Sequence, residues 1–132
     1  MISRSDLRSI PDLYRQILRD KEQLRYLREK ATSLPSSFTD GERIQSSPAN
    51  NQNKYIDAAV DLNREIEAKE TKLLDLQSEA REFITTVEDP LTRRALKYRY
   101  LRCCTWSEVA RLVGYTERHL YRLECEAISV LE

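Results

Sequence analysis

A single glycine near the C-terminal end divides one helical pattern into two short halves. Gly114 is one of only two glycines among 132 residues, and it separates residues 105–113 from residues 115–131. Thr105, followed three residues later by Glu108, predicts a capping box at the start of the first half. Glycine adopts the left-handed conformation that stops a helix abruptly. This stretch is therefore predicted to form two short helices joined by a tight turn.

Each of these predicted helices has an apolar inner face and a polar outer face. We expect Ala110 to lie where the two helices cross most closely, and Thr116 to cap the second helix with its hydroxyl. The residues expected to be buried are Val109, Leu112, Val113, Leu120 and Leu123. The residues left facing outward are Thr116, Glu117, Arg118, Tyr121 and Arg122. The arrangement is typical of a helix-turn-helix.

The outward residues have the chemistry needed to recognise DNA bases. The second helix of a helix-turn-helix enters the major groove, where Arg bonds guanine in a bidentate way and Tyr or Thr reaches a base edge. The residues expected to read bases are Glu117, Arg118, His119, Tyr121 and Arg122. Capped helix starts present N–H groups and hydroxyls to the DNA backbone. The residues expected to contact phosphate are Thr105, Ser107, Arg111 and Thr116. The alternative is a solvated helix face that happens to be basic.

The charges are unevenly distributed although the net charge is zero. Residues 90–132 hold eight Lys or Arg against five Asp or Glu, while residues 1–89 hold fourteen against seventeen. Sequence-independent affinity for DNA scales with the number of phosphates that are neutralised. Because the positive excess is small, we expect a homo-oligomer on double-stranded DNA, with a dimer favoured.

Several classes of protein have little support in this sequence. The three cysteines lack C-x-x-C spacing and the chain has one histidine, so we expect no metal site. Without clustered carboxylates or a nucleotide-binding loop, we expect neither catalysis nor a cofactor. No secretory or membrane-length apolar run appears, so we expect a cytoplasmic protein that does not contact the membrane.

Two long amphipathic patterns precede the glycine-divided stretch. The first is predicted to begin at Pro11, which suits the first helical position, and to end near Thr32. The second is predicted to run from about Lys54 to Glu88. Their heptad positions are Ile10, Leu13, Ile17, Leu24, Leu27, Ala31 and Leu34 in the first, and Ala59, Leu62, Ile66, Leu73, Leu76, Ala80, Phe83 and Val87 in the second. Such seams need a partner helix. We therefore expect an antiparallel coiled-coil hairpin from 11 to 88.

Each seam has one polar interruption, Asp20 in the first and Lys69 in the second. In an antiparallel hairpin, the apolar residues match best in a register that also brings these two side chains together. An ion pair there would fix the register, which is the best-attested use of a buried polar pair. The alternative is that both side chains lie at the edge of the seam and extend into water.

The remaining segments connect these parts. Residues 33–53 hold two of the four prolines and many polar residues, which predicts a long polar loop that is functional or mobile. Asp89 is predicted to cap a supporting helix over 90–102, with Pro90 as its first residue. Trp106, at the start of the next helix, is expected to anchor the core.

Two sets of residues resemble known families. The first set is Arg99-Tyr100, Trp106-Ser107-Glu108-Val109-Ala110 and Gly114-Tyr115-Thr116, through which residues 89–131 resemble region four of bacterial sigma factors. The second is the run Gly114-Tyr115-Thr116-Glu117-Arg118-His119-Leu120-Tyr121-Arg122-Leu123 with the loop Arg43-Ile44-Gln45-Ser46-Ser47, through which the whole chain resembles phage and prophage late-gene regulators of the RinA and ArpU kind. This resemblance implies phage gene regulation in the cytoplasm of a bacterial host cell. Cys103-Cys104 departs from the glycine-containing turn usual before the reading helices.

The sequence thus predicts an all-α protein in two parts. Residues 1–88 are expected to form the hairpin, with the polar loop at about 33–53, and residues 89–132 the DNA-binding helix-turn-helix. The expected function is sequence-specific regulation of late genes, as an activator acting with host RNA polymerase. One alternative is a small terminase subunit that recognises packaging sites and forms rings of eight or more chains. Another is a structural or anti-host interaction protein that retains the DNA-binding fold without using it.

Overall fold

The computed structural model describes residues 1–32 and 48–132, and the described residues form helices and no strand. The helices are α1 (Arg4–Thr32), α2 (Pro48–Thr85), α3 (Pro90–Leu96), a π-helical turn (Lys97–Leu101), α4 (Trp106–Val113) and α5 (Glu117–Ile128). The predicted all-α class is therefore confirmed. Leu34 and the run from Arg43 to Ser47 lie outside the described residues.

Helix α1 begins seven residues earlier than the sequence predicted, so Pro11 lies inside the helix rather than at its start. The Oγ atom of Ser3 accepts a hydrogen bond from the N–H of Asp6 at 3.1 Å and caps the first turn. A proline inside a helix costs about 3 kcal/mol. Burying one large apolar side chain contributes about 1.5–3 kcal/mol. Because Leu7 and Ile10 are both fully buried, their packing offsets that cost.

Helix α2 also differs from the predicted bounds, since it runs from Pro48 to Thr85 rather than from about Lys54 to Glu88. A proline is well suited to the first helical position because its missing N–H would be unpaired there in any case. Residues 48–53 are therefore helical, and the prediction of a polar loop extending to residue 53 is wrong at that end. The rest of the predicted loop, residues 33–47, lies outside the described residues.

The described chain divides into two compact units, and α1 and α2 contribute to both. We call residues 16–70 the middle unit, and residues 1–15 together with 71–132 the terminal unit. In the middle unit the predicted seam residues Ile17, Leu24, Ala59 and Ile66 are buried. The predicted boundary between 88 and 89 falls inside the terminal unit.

Helices α3, α4 and α5 pack around a small apolar cluster of the terminal unit. Its buried members are Ala95, Val109, Val113 and Leu120, and the partly buried side chains packed against them include Leu91, Tyr98, Trp106 and Leu123. The prediction that Leu112 is buried is wrong, because this side chain is 53% exposed. Val109 and Val113, one turn apart, fill the narrow inner stripe of an eight-residue helix, and Leu112 falls outside it.

The supporting helix predicted over 90–102 changes form after its second turn. Asp89 caps α3 as predicted, since its Oδ2 atom accepts from the N–H of Thr92 at 3.1 Å. The chain then widens into the π-helical turn, and Cys103 follows with φ of +56°. This left-handed conformation is the one that a glycine usually takes at a helix end. Cys103 therefore takes, without being a glycine, the conformation that glycine favours at a helix end.

Gln77 of α2 caps the end of the π-helical turn. Its Nε2 atom donates to the backbone oxygens of Tyr100 and Leu101 at 3.0 and 3.2 Å. These carbonyls belong to the last residues of a helix, which have no partner within it. The side chain thus joins α2 to the supporting helix.

A buried carboxylate joins the N-terminal turns of α1 to α5. Glu124 is only 3% exposed. The Tyr100 hydroxyl donates to Glu124 Oε1 at 2.9 Å, and Arg8 Nε lies 3.4 Å from the same oxygen. Because buried charges are stable only when they are paired and hydrogen-bonded, these two donors are what the burial of Glu124 requires.

Candidate nucleic-acid interface

The turn between α4 and α5 is held by backbone caps on both sides. Gly114 ends α4 with φ of +81°, and its N–H donates to the Ala110 oxygen at 2.9 Å. No other atom lies within 4 Å of the position that a Cβ would take, so only the backbone conformation requires glycine there. Thr116 then caps α5, its Oγ1 accepting from the N–H of His119 at 3.2 Å. The predicted caps and the left-handed glycine are confirmed.

Three buried residues fix which side of α5 faces outward. Leu120, Glu124 and Ile128 are buried at successive intervals of four residues. The opposite side of the helix must therefore face away from the core. Arg118, Tyr121 and Arg122 are exposed away from the buried stripe, and Glu117 is exposed at the first residue of the helix, as the sequence predicted.

A shallow surface groove brings most of the predicted base-reading residues together. We call it the α5 groove, and it is lined by Thr116, Arg118, His119, Tyr121, Arg122 and Cys125. Two arginines, one tyrosine and one histidine thus share a surface with the helix cap. Glu117 is exposed but does not line the groove.

The aromatic side chains around the groove hold one another in place. The Tyr121 ring meets the Trp106 ring edge-on, with centroids 6.2 Å apart. The Arg99 guanidinium lies over the same Trp106 ring, 5.1 Å from its centroid. Trp106 is half-buried and packs against the apolar cluster, in keeping with the predicted core anchor. Tyr121 is therefore half exposed and contacts a side chain that packs against the core.

The predicted phosphate contacts of α4 lie apart from the groove. Thr105, Ser107 and Arg111 are all exposed. Thr105 and Glu108 form the predicted capping box, with Thr105 Oγ1 accepting from the Glu108 N–H at 3.2 Å and the Glu108 carboxylate accepting from the Thr105 N–H at 3.1 Å. The backbone N–H of Thr105 and then its hydroxyl lower the pKa of Glu108, so this carboxylate is charged at neutral pH. A phosphate near this helix start would thus meet a negative charge, and Ser107 and Arg111 are better placed to bind one.

Three residues at the groove were not anticipated. Cys125 lines it, Tyr115 stacks on His119, and Arg8 reaches its far end, where Arg8 Nη2 lies 3.7 Å from Cys125 Sγ. Tyr115 could have been found from its position immediately before the helix cap, where a side chain often packs on the first turn. Arg8 could not, because no local pattern indicates contact with a residue more than one hundred positions away.

The predicted pair Asp20 and Lys69 lies in the middle unit and is in direct contact. Lys69 Nζ is 2.7 Å from Asp20 Oδ2, and the two side chains are 32% and 23% exposed. A second ion pair, between Lys21 Nζ and Glu70 Oε2 at 2.9 Å, joins the same two helices and is more exposed, at 52% and 43%. Asp20 and Lys69 are therefore partly shielded from water, although neither is fully buried.

Two further observations concern metals and membranes. Among residues 1–32 and 48–132, no group of three His, Cys, Asp or Glu side chains is placed to hold a metal ion. No described helix has the length and apolar character needed to cross a bilayer.

Burial raises the pKa of the Cys103 thiol, so this sulfur is held as a thiol at neutral pH.

No protein-family model, no curated protein and no solved structure matches this chain. A functional interpretation therefore depends on the residues themselves, on their geometry, and on the sequence resemblance described above. In the described chain, the predicted residues, their exposed arrangement and the resemblance all occur at the α5 groove.

Proposed function

We propose that this protein is a sequence-specific DNA-binding transcriptional regulator of phage or prophage origin. In this proposal α4 and α5 form a helix-turn-helix, and α5 is the helix that enters the major groove. The observation that carries the proposal is the exposure of Arg118, Tyr121 and Arg122 on one side of α5, within two turns of its capped start. Arginine is the side chain that most often reads guanine.

The dimensions of α5 suit this role. Its twelve residues span about 18 Å at 1.5 Å per residue, which is enough to cross a major groove about 12 Å wide. Its N-terminal end carries the positive pole of the helix dipole, which attracts phosphate. Thr116 is exposed at that end. The resemblance of residues 89–131 to sigma region four supports the same orientation.

We also propose that α1 and α2 form an antiparallel coiled-coil hairpin. Its support lies in the middle unit, where residues farther along α1 lie beside residues that come earlier in α2. Lys21 pairs with Glu70, whereas Ala31, farther along α1, lines a surface groove together with Ala59, which comes earlier in α2. The hairpin would serve assembly into a dimer or a contact with host RNA polymerase. Either role fits an activator of late genes.

A test of the proposal begins with DNA fragments selected from a phage genome that encodes the protein. On a selected fragment, Arg118→Ala with Arg122→Ala should lower discrimination against mismatched DNA by about 1–3 kcal/mol for each bidentate arginine–guanine pair that is removed. The matched control is Arg19→Ala with Arg28→Ala, which removes the same charge from exposed positions of α1. Competition binding at one stated salt concentration measures both.

Three outcomes separate the candidate functions. Equal losses in the two double variants would mean that the groove contributes charge alone, and would contradict base readout. Failure to select any fragment would remove the proposal and favour an interaction protein. Rings of eight or more chains in sedimentation analysis would favour a small terminase subunit, whereas a dimer would support the regulator.

A further inference from the structure

His119 lies between an aromatic ring and an arginine at the start of α5. Its ring stacks on that of Tyr115, with centroids 5.3 Å apart and planes inclined by 29°. Its Nδ1 atom is 3.0 Å from Nη2 of Arg122. The backbone N–H of His119 is already bound by the Thr116 cap. The imidazole therefore has two side-chain contacts, and the cap fixes the backbone that carries it.

The contact with Arg122 determines where the imidazole proton must be. A guanidinium group has donors and no acceptor, so at this contact Nδ1 can only accept. This hydrogen bond therefore needs the tautomer that carries its proton on Nε2. The Tyr115 ring contacts the imidazole while its Nδ1 atom meets Arg122.

An arginine held in this way differs from a free one. A free side chain loses rotamer entropy when it is fixed, and a side chain fixed before binding avoids part of that loss. The bond to His119 uses only one N–H group of Arg122. The other N–H groups remain for a pair of acceptors, such as O6 and N7 of guanine.

We infer that His119 is a positioning residue: with Tyr115 behind it, it holds Arg122 in the orientation that reads a guanine, and does not itself read a base. This inference rests on the proposed DNA-binding function. It assigns the two side chains different roles, although they lie side by side in the α5 groove.

Two substitutions separate the roles, because they keep different atoms of the imidazole. The amide oxygen in His119→Asn lies close to where Nδ1 was, so this variant keeps an acceptor for Arg122. The amide nitrogen in His119→Gln lies close to where Nε2 was, so this variant keeps an outward donor and loses that acceptor. If His119 positions Arg122, Asn should retain the preference for guanine, and Gln should lose about two- to tenfold of it. The reverse order would show that His119 reads a base itself and would overturn the inference.

The contacted guanine can be tested separately in competition binding. Arg122→Ala identifies the guanine, as the position at which discrimination disappears. Replacing that guanine with 7-deazaguanine removes the N7 acceptor. This replacement should weaken binding of the native protein and of the Asn variant, and should have little further effect on the Gln variant. An equal effect on all three proteins would contradict positioning through His119.

A measurement without DNA distinguishes failure of this inference from failure of the proposed function. His119 is the chain's only histidine, so nitrogen-proton correlation spectra of imidazole rings report this residue alone. A neutral ring with its proton on Nε2, shifting toward the other tautomer in Arg122→Ala, supports positioning. A proton on Nδ1 in the native protein overturns it. If the tautomer is as expected but no DNA is bound, the DNA-binding proposal fails while the geometry remains.

Discussion

At the scale of single residues, Glu124 shows what holds the terminal unit together. Its carboxylate lies in the interior with two donors, Tyr100 Oη at 2.9 Å and Arg8 Nε at 3.4 Å. A buried acceptor that loses its partner costs about 1–3 kcal/mol. The two donors come from segments far apart in the sequence, so one carboxylate joins three helical segments.

Tyr100→Phe should lower the free energy of unfolding by about 1–3 kcal/mol, because it removes one of the two donors to Glu124. Urea denaturation followed by tryptophan fluorescence measures the change, and Trp106 is the chain's only tryptophan. The matched control is Tyr115→Phe, whose ring is 48% exposed and which should change stability by less than about 0.5 kcal/mol. Equal effects of the two substitutions would contradict the described role of Glu124.

The same variant has a second signature at alkaline pH. Burial, and then the charge of Glu124, raise the pKa of Tyr100 above its ordinary value of 10.0. A group whose folded pKa is raised stabilises the fold fully below its unfolded pKa and loses that contribution as the pH rises beyond it. The native protein should therefore lose stability above about pH 10, and Tyr100→Phe should lose less over that range.

Local chemistry explains which residues the sequence could predict. Thr105, Gly114, Thr116 and Asp89 act on their own backbone neighbourhood, and all four take the predicted conformations or caps. The exposure of Arg118, Tyr121 and Arg122 followed from helical spacing alone. Arg8 and Gln77 could not be predicted, because their partners lie on other helices. Leu112 was misplaced because spacing does not reveal how narrow the buried stripe of a short helix is.

At the scale of helices, the π-helical turn is the element that the sequence did not indicate. It leaves the carbonyl oxygens of Tyr100 and Leu101 to be bound by Gln77, and after Arg102 it is followed by the left-handed Cys103. Sequence spacing fitted an ordinary helix over 90–102, because a π-helical turn changes the spacing by only one residue. The orientation in which α4 leaves this turn therefore depends on a contact with α2.

Gln77→Met should lower the free energy of unfolding by about 1–3 kcal/mol, since it keeps the side chain's length but removes the amide donor to the oxygens of Tyr100 and Leu101. The matched control is Gln23→Met at an exposed position of α1. Hydrogen exchange should also be faster at the Arg102 and Cys104 amides, which bond to the oxygens of Lys97 and Tyr98. Unchanged exchange at these amides would mean that the turn does not depend on Gln77.

The two ion pairs of the middle unit allow a matched comparison. Double-mutant cycles to alanine should give a coupling of about 0.5–1 kcal/mol for Asp20 with Lys69, and a smaller one for Lys21 with Glu70. The reason is exposure, because the first pair is less open to water than the second. Thermal unfolding followed by helical circular dichroism measures each cycle. Equal couplings would argue against a special role of Asp20 and Lys69 in the register.

At the scale of the whole molecule, the terminal unit is built from both ends of the sequence. Residues 1–15 and 71–88 belong to the same unit as the proposed helix-turn-helix. Heptad spacing indicated that these residues needed a partner helix, but it could not show that their outermost turns share a core with residues 89–132. A boundary between a hairpin domain and a DNA-binding domain at residues 88 and 89 remains a prediction.

The isolated fragment 89–132 should be largely unfolded, because it lacks the buried side chains of Ile2, Leu7, Ile10, Phe83 and Ile84. Each of these contributes about 1.5–3 kcal/mol when buried, which is large beside a typical folding free energy of about 5–15 kcal/mol. Circular dichroism and Trp106 fluorescence compare the fragment with the full chain. A cooperative thermal transition in the fragment would support an independent domain there instead.

The discontinuous terminal unit has a consequence during synthesis. Residues 1–15, which include the buried Ile2, Leu7 and Ile10, are translated well before residues 71–132, the rest of the same unit. At roughly 5–20 residues per second, these apolar side chains wait for several seconds without their native neighbours. A chaperone that binds short apolar segments would meet the nascent chain there, before its last helix exists.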